Sequence, residues 1–134
     1  MTQKLATQVV QDYLAAMEAR EIDRARSYLA PDFHMIFPGD NRFTELEEVI
    51  AWAGPRYRRV AKRYDRYDEA PGGDGTGDAD MAVYCYGTLY GEWPDGTPFE
   101  GIRFIDRFTV RDGKLVDQLV WNDLAEVQRG RAGA

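Results

Sequence analysis

The stretch FIDRFTVRDGKLVDQLVWND, residues 104–123, decides the fold. Asp112-Gly113 is a hairpin signal between two runs rich in aromatic and β-branched residues. The first run extends back to Phe99, and the second covers Leu115 to Trp121. Along the first strand, Ile102, Phe104, Asp106 and Phe108 share one parity, while Arg103, Ile105 and Arg107 share the other. Alternate residues of a strand point to opposite faces. One face is therefore apolar except for one carboxylate.

Upstream, Met81 to Glu92 reads as a further strand, joined through a turn at Pro94-Asp95-Gly96. Tyr84, Tyr86, Thr88 and Tyr90 share one side of it, and Val83, Cys85 and Leu89 the other. Pattern alone does not say which side faces inward. Residues 71–80 are rich in Gly and Asp and read as a flexible loop. Its acids lack the spacing of an EF-hand, so no calcium site is expected.

Helices precede the strands. Leu5, Val9, Tyr13, Leu14 and Met17 form one helical stripe. A shorter helix turns Ile22, Ala25 and Leu29 inward and stops at Pro31. Phe33 to Phe37 reads as a short buried strand closed by Pro38-Gly39. Thr44 and Glu47 have capping-box spacing. The helix they open carries Leu46, Val49, Ile50, Ala53, Tyr57, Val60 and Tyr64, with a kink or break at Gly54-Pro55. The basic run from Arg56 to Arg66 falls on the solvated face of that helix. Residues 128–134 are polar and expected to fray. Helices first and strands last make an α+β layout in a single domain spanning residues 1–134.

Composition narrows the function classes. The 134 residues are 44% hydrophobic and 30% charged, as in globular chains. Seventeen basic against 23 acidic residues give a net charge of −6, which disfavours nucleic acid and anionic membrane as partners. No apolar run approaches the roughly 18 residues of a membrane span. No signal-peptide core follows the N-terminus, so a cytoplasmic location is expected. Cys85 is the only cysteine and His34 the only histidine, so no metal site or internal disulfide is expected. No phosphate loop, dinucleotide fingerprint or nucleophile elbow is present, and no cofactor is expected.

Two residues carry candidate chemistry. If Asp106 faces inward, it is a lone carboxylate among apolar side chains, and its pKa should rise. If it faces outward, it pairs with Arg103 or Arg107. Tyr13 is either a core tyrosine or a hydroxyl directed into a cavity. His34 alternates against Phe33, Met35 and Phe37 and should leave the interior if those three enter it. Trp121 either caps the core or walls the cavity. Trp52 lies off the helix stripe and suits a partner surface or a pocket mouth.

These residues resemble the SnoaL-like members of the nuclear-transport-factor-2-like superfamily, from about Ala6 to Glu126. The resemblance rests on the 104–123 run, the helix pair and the strand ending Phe37-Pro38-Gly39. It implies a curved antiparallel sheet and N-terminal helices forming a cone around an apolar pocket. Ketosteroid isomerases, within the same superfamily, use a helix tyrosine and a strand aspartic acid as an oxyanion hole. Tyr13 is similar to that tyrosine, nine residues before Ile22, and Asp106 to that acid. Trp121 resembles a pocket-lining tryptophan of the isomerases. Their general base corresponds to Phe37, which cannot move a proton, so steroid isomerisation by that route is not expected. SnoaL-type cyclases, which close rings through one aspartic acid, are also similar.

The resemblance implies an enzyme of lyase or isomerase type acting on a small cyclic carbonyl compound through Asp106 and Tyr13. Asp106, held near neutral, would donate to an enolate-like oxygen or exchange a proton with it. A non-catalytic binder of a small apolar metabolite is the alternative. Phe33, Met35, Phe37, Phe104, Phe108 and Trp121 would wall either pocket. The outer sheet face, with Ile105, Arg103 and Arg107, would form a homodimer.

Overall fold

A computed structural model describes residues 5–72 and 80–132. Two helices come first, α1 (Ala6–Glu18) and α2 (Ile22–Arg26). Strands β1 (Leu29–Phe37) and β2 (Asn41–Phe43) precede helix α3 (Leu46–Ala53). Strands β3 (Arg59–Pro71), β4 (Met81–Glu92), β5 (Pro98–Arg111) and β6 (Lys114–Asn122) follow, and helix α4 (Leu124–Ala132) comes last. The fold is α+β, with helices packed on a curved, unclosed six-stranded sheet. Strand order is β2-β1-β6-β5-β4-β3. The sheet is mixed: β1 and β6 run parallel and every other pair is antiparallel.

The core lies between the helices and the concave side of the sheet. Val9, Val10, Tyr13, Leu14 and Ala16 of α1 are buried against it. Leu5 sits just before the helix and is exposed. Arg20 ends α1 in a left-handed conformation, φ 58°, and its N–H and that of Glu21 return to the Met17 and Ala16 carbonyls. In β5, Ile102, Phe104, Asp106 and Phe108 are all buried, while Arg103 and Ile105 are exposed. The alternation read from the sequence holds there from Ile102 to Phe108. In β4 the tyrosines lie on the less buried face, opposite Val83, Cys85 and Leu89.

The long helix read from Thr44 to Tyr64 does not form. It is α3 alone, which ends at Gly54, and the chain resumes as strand β3. Gly54-Pro55 breaks the helix because proline offers no N–H to continue its hydrogen-bond ladder. The basic run therefore lies on a strand, with alternate residues inward. The N-terminal cap also sits one residue later than Thr44 and Glu47: the Glu48 carboxylate accepts the Glu45 N–H at 3.1 Å. Leu29 opens β1 rather than closing the second helix, and β2 had no clear signal. Most of the loop placed at 71–80 lies outside the described residues.

Helix α4 runs through Ala132, across most of the segment read as a fraying tail, and residues 133–134 lie outside the described residues. Arg131 reaches Asp95 at 3.2 Å and stacks over Trp93, and Gln128 donates to the Arg56 carbonyl at 3.0 Å. These anchors hold one end of the helix over the site.

A bulge in β3 places two tyrosines on one face. Register shifts between Tyr64 and Arg66, and Tyr64 and Tyr67 stack with centroids 5.2 Å apart. Gly87 permits the close approach: a Cβ there would sit 1.9 Å from the Arg63 carbonyl oxygen. No helix among the described residues is long and apolar enough to cross a membrane.

Candidate functional site

A cavity of about 300 Å³ opens between the helices and the sheet. That lies at the small end of ligand pockets. Its apolar wall includes Met35, Phe37, Val60, Phe104 and Val120. Polar groups in its lining include Tyr13 from α1, Lys62 from β3, Asp106 from β5, and Gln118 with Asn122 from β6.

Asp106 takes the inward position. Its side chain is fully buried. Arg103 pairs instead with Asp123 at 2.6 Å, and Arg107 donates to the Tyr84 hydroxyl at 3.2 Å. The partner of Asp106 is Lys62, whose Nζ donates to Oδ2 at 2.6 Å. Lys62 also lies over the Phe104 ring at 4.9 Å. The carboxylate is not the lone acid that the β5 pattern suggested. In a buried pair at this distance the attraction between the two groups offsets part of the desolvation cost. Burial works against the Lys62 charge, but the charge and hydrogen bond of Asp106, with lesser help from Cys85 and Tyr13, outweigh it and hold its pKa above the ordinary lysine value.

The other oxygen of Asp106, Oδ1, is buried and has no hydrogen-bond partner among the described residues. The Tyr13 hydroxyl is in the same condition. Buried polar atoms are nearly always satisfied, so two orphans lining one cavity ask for an explanation. Burial raises the Tyr13 pKa far above the ordinary phenol value; Lys62 opposes that rise and Asp106 adds to it. Tyr13 therefore stays a neutral donor. Cys85, opposite Asp106 in register, has its thiol pushed up to about 12, by burial first and then by the Asp106 charge. It is no nucleophile at neutral pH.

Met35, Phe37 and Phe104 line the cavity. Phe33 and Phe108 do not. They are core residues packed edge-on against the Tyr13 ring, at 6.2 and 6.1 Å. They hold that ring in place. Trp121 is a correction of another kind. It is 52% exposed on the outer face of the sheet. It stands in register with Ile105, and its neighbours Val120 and Asn122 face the cavity instead. Strand parity puts it outside. His34 is exposed, away from the cavity. Trp52 lines the cavity and packs with Phe37 and Phe43. Lys62 was hidden by the helical reading of its segment, although its parity with Val60 and Tyr64 marks it as inward once that segment is a strand.

A family profile described as "SnoaL-like domain" matches residues 10–118. No curated protein matches the sequence. Among solved structures, TerC co-crystallized with polyporic acid superposes with a TM-score of 0.71 at 16% identity, covering 92% of this chain and 95% of that one. An NTF2-like protein of unknown function from Burkholderia pseudomallei also gives 0.71, at 19% identity, covering 92% and 94%. A candidate SnoaL-like polyketide cyclase from Jannaschia sp. gives 0.62 at 17% identity, covering 96% and 95%.

Proposed function

This chain belongs to the SnoaL-like domain family, and from that premise we propose that it is an enzyme of isomerase or lyase type acting on a small cyclic carbonyl compound. The observation that carries the reading is the pair of orphaned atoms, Asp106 Oδ1 and Tyr13 Oη, on one cavity. A carbonyl compound with an acidic α C–H would satisfy both. Asp106 Oδ1 takes the α proton, and the C–H electron pair passes into the enolate. Tyr13 donates a hydrogen bond to the oxygen where charge develops. The negative charge moves from Asp106 to the enolate, so the cavity's net charge beside Lys62 is unchanged. The enolate then either recovers the proton at another carbon or attacks a second carbonyl to close a ring, the oxygen of that carbonyl taking the proton back from Asp106.

The pairing with Lys62 alters the role of the acid. Asp106 acts as a base that is charged at rest, rather than as a neutral donor. Neighbours of the same fold include TerC, co-crystallized with polyporic acid, and a candidate polyketide cyclase. Both support a small-molecule site. The test is exchange of α protons of a panel of fused-ring ketones in deuterated water, followed by mass. Catalytic exchange of at least one ketone, inhibited by naphthol, is expected. Tight binding of ketones without exchange would make the protein a carrier instead.

We also propose a homodimer through the outer sheet face. Tyr86, Ile105 and Trp121 lie side by side on β4, β5 and β6, and all three are exposed. A row of large apolar groups across three strands suits a second copy of the same face. Trp121→Ser is expected to shift sedimentation from dimer to monomer, and a wild-type protein that sediments as a monomer would refute the dimer.

A further inference from the structure

The cavity has a closed end and an open end, and the two differ in charge. Tyr13 and Asp106 lie at the closed end, fully enclosed. At the open end the lining includes Arg20, Arg56, Tyr57 and Glu18. Arg20 and Glu18 are exposed, and Arg56 is half-buried. Neither arginine has a carboxylate partner among the described residues, although most other arginines of the chain do. In a chain of net charge −6, two cations without acidic partners at one opening are unusual.

What each guanidinium does leaves donors over. Arg56 lies 3.8 Å above the Trp52 ring, which fixes its plane and leaves its N–H edge open. Arg20 spends one Nη1 bond, 2.7 Å, on the Met17 carbonyl at the end of α1. A guanidinium has five N–H donors. Arg20, Arg56 and Tyr57 all line this cavity. Burial raises the Tyr57 pKa, and the charges of Arg20, Lys62 and Arg56 each oppose that rise.

We propose that Arg20 and Arg56 form a carboxylate-binding subsite at the cavity mouth, so that the ring compound taken up here carries a carboxylate at the end away from its reacting carbonyl. The substrate class named here rests on the small-molecule reading above. A carboxylate suits the planar donor edge of arginine better than a neutral oxygen does. The overall negative field of the chain would otherwise repel such a ligand, and the two arginines reverse that locally.

The test is titration calorimetry of three probes, naphthol, naphthoate and hydroxynaphthoate, against wild type and the double variant Arg20→Asn/Arg56→Gln. Asparagine tolerates the left-handed backbone at position 20, so the variant keeps the end of α1. Hydroxynaphthoate is expected to bind wild type about tenfold more tightly than naphthol. That ratio should fall toward one in the variant, and should shrink with added salt. If hydroxynaphthoate binds no tighter than naphthol, or the ratio survives the double substitution, the subsite is overturned. Naphthoate separates the two readings. Arginine-dependent binding of naphthoate with no binding of naphthol would sink the proton-transfer site and leave the subsite standing. Naphthol binding without naphthoate binding would do the reverse.

Discussion

Replacing Asp106 with asparagine is expected to slow α-proton exchange of any ketone the wild-type protein turns over by about a hundredfold to ten-thousandfold, the usual range for losing a positioned acid–base group. The substitution changes little else. Asparagine has nearly the same shape, and its carbonyl oxygen can still accept from Lys62, whose Nζ lies 2.6 Å from the present carboxylate. What it cannot do is take a proton at neutral pH. Folding should therefore survive while exchange does not. Exchange in the variant at the wild-type rate would place the base elsewhere.

Replacing Lys62 with methionine is expected to destabilise the protein by about 3 kcal/mol, the low end for breaking a buried ion pair. The low end applies because about a fifth of the Lys62 side chain is exposed, while Asp106 is fully buried. The loss should appear as a fall in Tm of roughly 10 °C. It arises because Asp106 is left as an uncompensated buried charge. Adding Asp106→Val to the same chain should restore most of the loss, since replacing a buried pair by apolar groups is often neutral. The folded pKa of Lys62 lies above its ordinary value of 10.5, so the stabilisation is fully present below that value and is lost as pH rises through the folded pKa. The effect of Lys62→Met should therefore be constant from neutral to mildly alkaline pH. A stability unchanged by Lys62→Met would mean that Asp106 does not depend on this partner.

The strand that carries Asp106 was readable because its alternation is unbroken: Ile102, Phe104, Asp106 and Phe108 inward, Arg103 and Ile105 outward. Strand β4 and the Asp112-Gly113 turn were equally legible, since local turn chemistry fixes both. The segment holding Lys62 was not. Val60 and Tyr64 are four residues apart, which is about one helical turn and also two full pleats of a strand. Both fit the apolar stripe that α3 begins, so helical spacing ran on through Gly54-Pro55. Lys62 between them is the discriminating residue, since a helix would turn it away from both and a strand turns it to the same side. The parity of Trp121 was obscured by reading that residue from resemblance rather than from its place opposite Ile105. The parallel pairing of β1 with β6 joins segments more than 80 residues apart, and no local pattern encodes it.

The central claim is that Tyr13 Oη and Asp106 Oδ1 serve one ligand oxygen or proton inside the cavity. Thermal shift with naphthol against wild type, Asp106→Asn and Tyr13→Phe tests it most directly. A naphthol hydroxyl can donate to Asp106 Oδ1 while accepting from Tyr13. At about a hundred times its Kd it should stabilise wild type by roughly 2.7 kcal/mol, a shift of several degrees. The account predicts that each single variant loses most of that shift. A shift of equal size in all three proteins, or none in wild type, would contradict it.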